Sequence, residues 1–438
     1  MTLDIFPWPY ILSDIVSEGK LGVRTAPVDL SAHSFWEQPQ AARERAFARL
    51  RADAPVSWQD QPESPLVPTE GLTGGYWAVV RHADVRAISR DPKTFCSGRG
   101  VMFEDAPQEF LDATQSFLPM DDPQHAKLRG LVQKAFAPRH VRTLEDGIRA
   151  DARVIVDQLE AGATGDFVER VAKRLPLMTI MRMLGAPEAD HERLVAHADT
   201  LVSWNDAELL AGREPLAVIG EAIAALHEAA TAIAADRRRH PAGDLVTALV
   251  GTEVDGARLT DFEIASFFVL LSVAGNDTTR HTTSRAIRAL CDFPDQRVAL
   301  LDDIEGRLDT AVEEFVRWAS PVMTFRRTAT RDAEIAGQPV TEGDKVVLFY
   351  PSANRDEAAF PEPDRFDVIR DPNPHVGFGG GGPHYCIGAA IARAQLKALF
   401  TELLSAFPQL EVGEPRYLVG NFVNAISAMP MDAGPRRN

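Results

Sequence analysis

Cysteine is scarce in this sequence: Cys96, Cys291 and Cys386 are the only three among 438 residues, odd in number and far apart. That excludes a disulfide framework and the paired spacing of a structural zinc site, and leaves room for one cysteine with a special task. Basic residues are outnumbered, 46 against 63 acidic, for a net charge of −17, which argues against nucleic acid or an anionic membrane as main partner because both reward clustered positive charge. The longest apolar run, Ile264 to Gly275, is too short to span a membrane and reads as a buried helix. The opening stretch MTLDIFPWPYIL, with Asp4 and two prolines, lacks the basic flank and unbroken apolar run of a secretory signal, so a cytoplasmic location is expected. There is no internal repeat, no Ser/Gly-rich linker and no low-complexity tract, so one large unit over 1–438 is the simpler reading.

What is present suits a globular chain able to enclose a cofactor: 45% hydrophobic and 25% charged residues. Helical patterning dominates from Gln124 to Trp318, with strand-like pieces at Tyr76–Val80, Glu334–Gln338 and Lys345–Tyr350, which predicts a mainly α fold with small β-sheets. Thr260-Asp-Phe-Glu263 has capping-box spacing and Pro294 follows the far end, so one helix of about 30 residues, roughly 45 Å long, is expected between them. Pro- and Gly-rich clusters after Tyr350 and from Asp371 to Gly382 mark irregular segments leading to a last helix near Cys386.

The sharpest signal is Phe378-Gly-Gly-Gly-Gly-Pro-His384-Tyr-Cys386-Ile-Gly388 followed by AAIARAQLKALF. Glycines let backbone approach a flat ligand, and a cysteine at a helix start meets free N–H groups and a dipole that favour the thiolate, a good iron ligand. A phosphate-binding loop is the competing reading, but Gly-Lys-Ser/Thr, a preceding strand and dinucleotide spacing are all missing. Inside the long helix, Ala274-Gly-Asn-Asp277-Thr278-Thr279 collects poor helix formers and is expected to interrupt it. For an isolated Thr-Thr, a kink with hydroxyls bonded back to carbonyls would suffice; a broken local rule in a strong helix also marks function. Glu314 and Arg317 share a helix face, which alone describes an ordinary surface ion pair. His125 and Arg129 share one face of another helix, with Lys127 and Lys134 roughly opposite, in a stretch from Pro123 to Thr143 that has no acidic residue.

Taken together, the Phe378–Gly388 loop, Ala274–Thr279 and Glu314-Phe-Val-Arg317 resemble the cytochromes P-450, over about Val28 to Met431. The loop departs from the usual form: Phe378 lies eight residues before Cys386, one more than is common, as in bacterial enzymes acting on sterols and branched lipids. The resemblance implies a triangular single domain with a long central helix over haem b, residues 1–25 forming an N-terminal extension. It implies Cys386 as iron ligand; His125, Arg129, Arg327 and His384 on the propionates; Phe378 and Ala274 against the haem; and a structural network of Glu314, Arg317 and Arg365. Asp277 and Thr278 would relay protons to the reacting dioxygen, while the thiolate favours O–O cleavage. The activity implied is O2-dependent hydroxylation of a C–H bond. Electrons would come from a ferredoxin and its NAD(P)H-dependent reductase, docked with help from Lys127 and Lys134.

Apolar residues where the family places its pocket include Met102, Phe103, Leu270, Val322, Phe325 and Phe422, with Val101, Phe110, Phe117 and Leu201 to Trp204 nearby; each taken singly is better explained by core packing than by substrate contact. Together they suggest a lipophilic substrate: a steroid or related polycyclic or branched lipid, with terpenoid or fatty-acid hydroxylation as the alternative. A haem-thiolate isomerase or dehydratase, a peroxide-driven peroxygenase, and a non-catalytic haem or lipid binder are the rivals of other classes. The Asp277-Thr278 pair speaks against the peroxygenase.

Overall fold

The computed structural model describes residues 27–62, 74–105, 116–135, 138–202, 210, 212–254 and 257–437. Helices make up about 52% of the chain. Those that bound the site are α1 (Gln124–Ala135), α2 (Pro138–Asp157), α3 (Arg174–Met183), α4 (His191–Thr200), α5 (Pro215–Arg239), α6 (Asp261–Asp292), α7 (Ile304–Ala319) and α8 (Ala389–Ala406). Burial of Ile155, Leu175, Ile287, Phe315, Phe400 and Leu403 gathers α2, α3, α6, α7 and α8 around one apolar core. Such burial is the main stabilising term of a helical assembly.

A five-stranded sheet runs in the order β1 (Val56–Asp60), β2 (Gly75–Val79), β5 (Lys345–Phe349), β4 (Thr324–Ala329) and β3 (Phe95–Cys96). The predicted Lys345 strand lies between β2, to which it is parallel, and β4, to which it is antiparallel. The antiparallel register sets Arg327 opposite Val346 and Phe325 opposite Leu348. Because side chains alternate along a strand, Phe325 and Arg327 share a face, and the neighbouring Arg326 turns the other way to reach Asp105 at 2.7 Å. The Glu334–Gln338 piece is a small hairpin, Ala333–Ile335 against Gln338–Val340.

The long helix α6 has 32 residues, about 48 Å, and begins at the expected capping box, with Thr260 and Glu263 satisfying one another's backbone N–H groups. It stops at Phe293, whose extended conformation leads into Pro294. The expected interruption at Ala274–Thr279 does not occur, and the helix runs through it unbroken. Thr278 Oγ1 donates to the Ala274 carbonyl at 3.0 Å and Thr282 Oγ1 to that of Thr278 at 2.7 Å, so the hydroxyls are satisfied without opening the ladder. Gly275 has a packing reason: a Cβ there would meet Ile180 Cδ1 of α3 at 2.8 Å.

Among the described residues one helix, α5, is long and apolar enough to cross a membrane. It packs along α6 and α4, with Ile219, Leu226, Ala230 and Ala234 buried, and closes with Arg237–Arg239.

Candidate functional site

Cys386 is presented by the loop that precedes α8. Its backbone N–H donates to the Phe378 carbonyl at 2.9 Å, and Gly379 N–H to Val376 at 2.8 Å, folding the glycine run back on itself. At Gly382 the backbone is left-handed, φ +76°, and a Cβ would meet the Ser89 carbonyl at 2.2 Å, so the loop is pressed against the His82–Ser89 helix. The helix begins just beyond, with Gly388 as its N-cap. Burial pushes the Cys386 thiol up, whereas the N–H groups of Gly388 and Ala389 and the charges of Arg129 and Arg393 favour the thiolate. Among the three free cysteines Cys386 is the exposed one, and its exposure is toward the cavity that it lines.

That cavity has a volume of about 180 Å³. On one side stands α6 with Leu270, Ala274 and Thr278; on the other lie Cys386 and Phe378, with Val322 and Phe325 from the sheet edge. Arg129, Arg327 and His384 also line it, and among the described residues no carboxylate does. Arg129 donates to the Tyr385 carbonyl and Arg327 to that of Arg326, which fixes both guanidinium groups without neutralising either. His384 is pushed down to about 3 by burial and then by Arg327, His125 and Arg129. His125 is buried, its ring 4.2 Å from that of His384, and its Nε2 has no partner. This concentration of donors lacks an anion of its own, and the arrangement fits a flat ligand carrying carboxylates at one edge and a metal above the sulfur.

Asp277 and Thr278 are neighbours in different surroundings. Thr278 lines the cavity; Asp277 lies behind it, buried, with Oδ1 2.7 Å from Arg280 Nη2 and accepting from Asn276 Nδ2 at 3.2 Å. Arg280 in turn donates to Asp199 of α4 at 3.0 Å. Burial pushes Asp277 up to about 7, with Arg280 opposing and Asp199 adding to the shift; its Oδ2 is buried without a partner.

Beneath the loop, Glu314 and Arg317 are fully buried and joined by two bonds of 2.7 Å. The structure corrects the third member of this network. The Arg365 side chain is half exposed and pairs with Glu362 at 3.6 Å, while Arg370, buried, donates to Glu314 Oε2 at 3.2 Å. Arg365 takes part through its carbonyl, which accepts from Arg317 at 3.1 Å and Arg370 at 2.9 Å. Sequence reasoning also passed over Glu313 and Arg393. The Arg393 guanidinium lies 4.4 Å over the Phe378 ring, and Glu313 ties it to His375. Burial alone would raise Glu313, but its bonds to Arg393 and His375 hold it down at about 2. Thus Phe378, despite the extra glycine, is clamped against the cavity wall.

The expected pocket residues divide. Leu270, Val322 and Phe325 line the main cavity. Phe103 does not: it is 2% exposed in an aromatic group with Tyr76 (5.0 Å), Phe349 (6.2 Å) and Trp36 (6.3 Å), a core position. Met102 and Phe422 line a second, smaller void. Phe117 lines the main cavity, whereas Phe110, Trp204 and the Lys134 side chain lie outside the described residues.

Comparison with known proteins adds to this geometry. The family model described as Cytochrome P450 matches residues 218–416. The methyl-branched lipid omega-hydroxylase of Mycobacterium tuberculosis is 40% identical over 415 residues, 93% of this chain and 95% of that protein. The steroid C26-monooxygenase of Mycolicibacterium smegmatis is 38% identical over 400 residues, 88% of this chain and 89% of that one. A Mycobacterium marinum relative solved in complex with pseudoionone superposes with a TM-score of 0.90 at 54% identity, covering 94% of this chain and 99% of that chain.

Proposed function

The chain belongs to the cytochrome P-450 family, and from that premise we propose that it hydroxylates a steroid or methyl-branched lipid, taking electrons from a ferredoxin served by an NAD(P)H-dependent reductase. It is a haem-thiolate monooxygenase whose cofactor is haem b and whose substrates are O2 and a lipophilic molecule. Haem supplies the redox chemistry that divides O2 and delivers one oxygen atom to a C–H bond. The observation that carries the site assignment is Cys386 lining a cavity rimmed by Arg129, Arg327 and His384, with no carboxylate among the described lining residues.

In this reading Cys386 ligates the iron as a thiolate, with the N–H groups of Gly388 and Ala389 and the positive charges of Arg129 and Arg393 favouring its charge. His125, Arg129, Arg327 and His384 bind the propionates; the partnerless His125 Nε2 is one donor awaiting such an acceptor. Phe378 and Ala274, both lining the cavity, would pack against the haem. Thr278 holds a proton at Oγ1 on the cavity wall, and Asp277, an acid poised near neutrality, replenishes it from the side of α4. Glu314, Arg317 and Arg370 hold the cysteine loop in place. Leu270, Val322 and Phe325 exclude water and favour an apolar substrate.

The relatives named for methyl-branched lipids and steroids support that substrate class, and the relative solved with pseudoionone favours a linear terpenoid as the second reading. We take 1–438 as one unit working in the cytoplasm, where a reduced ferredoxin is at hand.

The test is the absorption spectrum of the reduced protein under carbon monoxide, for wild type and Cys386→Ala, followed by turnover with ferredoxin, reductase and NAD(P)H on a steroid and branched-lipid panel. The red-shifted thiolate band is expected in wild type and absent in the variant. A wild type that binds haem without that band overturns the ligand assignment. Conversion that proceeds without an electron donor would instead make the protein an isomerase or dehydratase.

A further inference from the structure

Beyond the main cavity lies a second, far smaller void of about 20 Å³, room for about one water molecule or one hydroxyl or keto oxygen. The partition between them is the segment 422–424. Val423 bridges Val322, Met323 N–H donates to the Phe422 carbonyl at 2.7 Å, Asn424 N–H donates to Pro321 at 2.9 Å, and the rings of Phe422 and Phe325 sit 5.7 Å apart. The two spaces also succeed one another along α6, because Thr278 lines the first and His281, three residues on, lines the second.

This second void has a mixed lining, with Glu104 and Asn421 set among Met102, Phe422 and Val423. Glu104 is 7% exposed there; its Oε1 accepts from Asn421 Nδ2, and its Oε2 is buried with no partner. Asn421 is itself anchored, its carbonyl accepting from Thr324 Oγ1 at 2.9 Å. A carboxyl oxygen buried without a partner costs free energy and calls for an explanation. Among the described residues no lysine or arginine lines the void to supply one. Burial pushes Glu104 up despite the Asn421 bond, and His281 is held well down by burial, so both groups favour their neutral forms. His281 Nδ1 accepts from Ile426 N–H at 3.2 Å. A carboxylic acid paired with an amide matches a neutral oxygen, a hydroxyl or ketone, and disfavours a charged headgroup.

We infer that Glu104 and Asn421 form a recognition site for a hydroxyl or keto oxygen at the end of the lipid remote from the carbon oxidised, with Phe422 as the side chain that a long substrate displaces to reach it. The inference rests on the hydroxylase reading above and adds to it an orientation: oxygenated end at Glu104, hydrocarbon end over Cys386.

The experiment uses oxidised holoenzyme and follows the shift of the haem band on titration with pseudoionone, the alcohol obtained by reducing its carbonyl, and the corresponding hydrocarbon. Wild type should bind ketone and alcohol about tenfold more tightly than hydrocarbon, the size of one net buried hydrogen bond. Glu104→Leu should abolish that preference and leave the hydrocarbon affinity unchanged, with Glu104→Gln keeping part of it. Should Glu104→Leu fail to take up haem, Asn421→Leu is read in its place, with the same loss expected. Equal binding of all three probes by wild type overturns the inference, as does a uniform fall for all three in the variant, which would make Glu104 structural. Tighter binding of the matching amine than of the alcohol overturns it as well, since the site would then be one for cations. A wild type without the carbon monoxide thiolate band would take down the parent reading too; a failed preference with that band intact removes only this inference.

Discussion

Glu314 receives donors from every side: both bonds of Arg317, Arg370 at 3.2 Å, Asn373 at 3.0 Å and the Asp367 N–H at 2.8 Å. A carboxylate so enclosed is stable only while its partners remain, since removing one partner of a buried pair leaves an uncompensated charge. Arg370→Ala should therefore cost roughly 3–5 kcal/mol, seen as a lower thermal midpoint and a protein purified with less haem. Arg365→Ala should stay within about 0.5 kcal/mol of wild type, because the variant keeps the carbonyl through which Arg365 joins the network. If the two variants exchange these behaviours, the assignment of the third arginine reverts to Arg365. The sequence alone does not separate them. Both lie in Asp-Arg365-Phe-Asp-Val-Ile-Arg370, an irregular segment with no period to say which side chain turns inward.

At the scale of elements, legibility followed regularity. The α6 boundaries were readable because a capping box and a following proline are local chemistry, and β2 and β5 because both are short apolar runs, whereas β4, Thr-Phe-Arg-Arg-Thr-Ala, carries no such signal. The unbroken course of α6 through Ala274–Thr279 was not, because what preserves it is tertiary: hydroxyls bonded back one turn, and α3 packed on Gly275. In the Phe378–Gly388 loop the glycine run was legible but the clamp on Phe378 was not, since Arg393 reaches it from α8 and Glu313 from α7. The loop invites a direct test. Gly382→Ala sets a Cβ at positive φ and against the Ser89 carbonyl, so it should cost more than about 1 kcal/mol. The displaced loop should also show as a smaller fraction of haem with the thiolate band. A variant with full haem content and an unchanged band would mean that the loop is not pressed on the His82–Ser89 helix as described.

Over the whole molecule, what sequence could not sort was depth. Phe103 and Phe325 sit in similar apolar runs, yet one joins the core and the other walls the cavity, a difference decided by chain crossings far away in sequence. Charge, by contrast, is a whole-molecule property that sequence does carry. The protein has net charge −17 and nevertheless keeps residues 123–143 free of acid. Arg129, by lining the cavity, and His125, by packing on the His384 ring, account for part of that stretch, while Lys127 is exposed on the same helix. An acidic electron donor approaching an acidic protein is repelled by the whole and attracted by such a patch, and steering of this kind acts chiefly on the association rate and fades as salt screens it. Reversing the charge of Lys127 and Lys134 together should therefore slow the second-order rate of reduction by a ferredoxin several-fold at low ionic strength. The gap should close as salt is raised, with the thiolate band and the lipid affinity unchanged. Stopped-flow reduction across a salt series measures this. Equal rates at low salt would remove the docking assignment and leave the lysines as a solvated face, whereas a deficit that persists at high salt would place the lysines in a close contact of the complex rather than in its steering field.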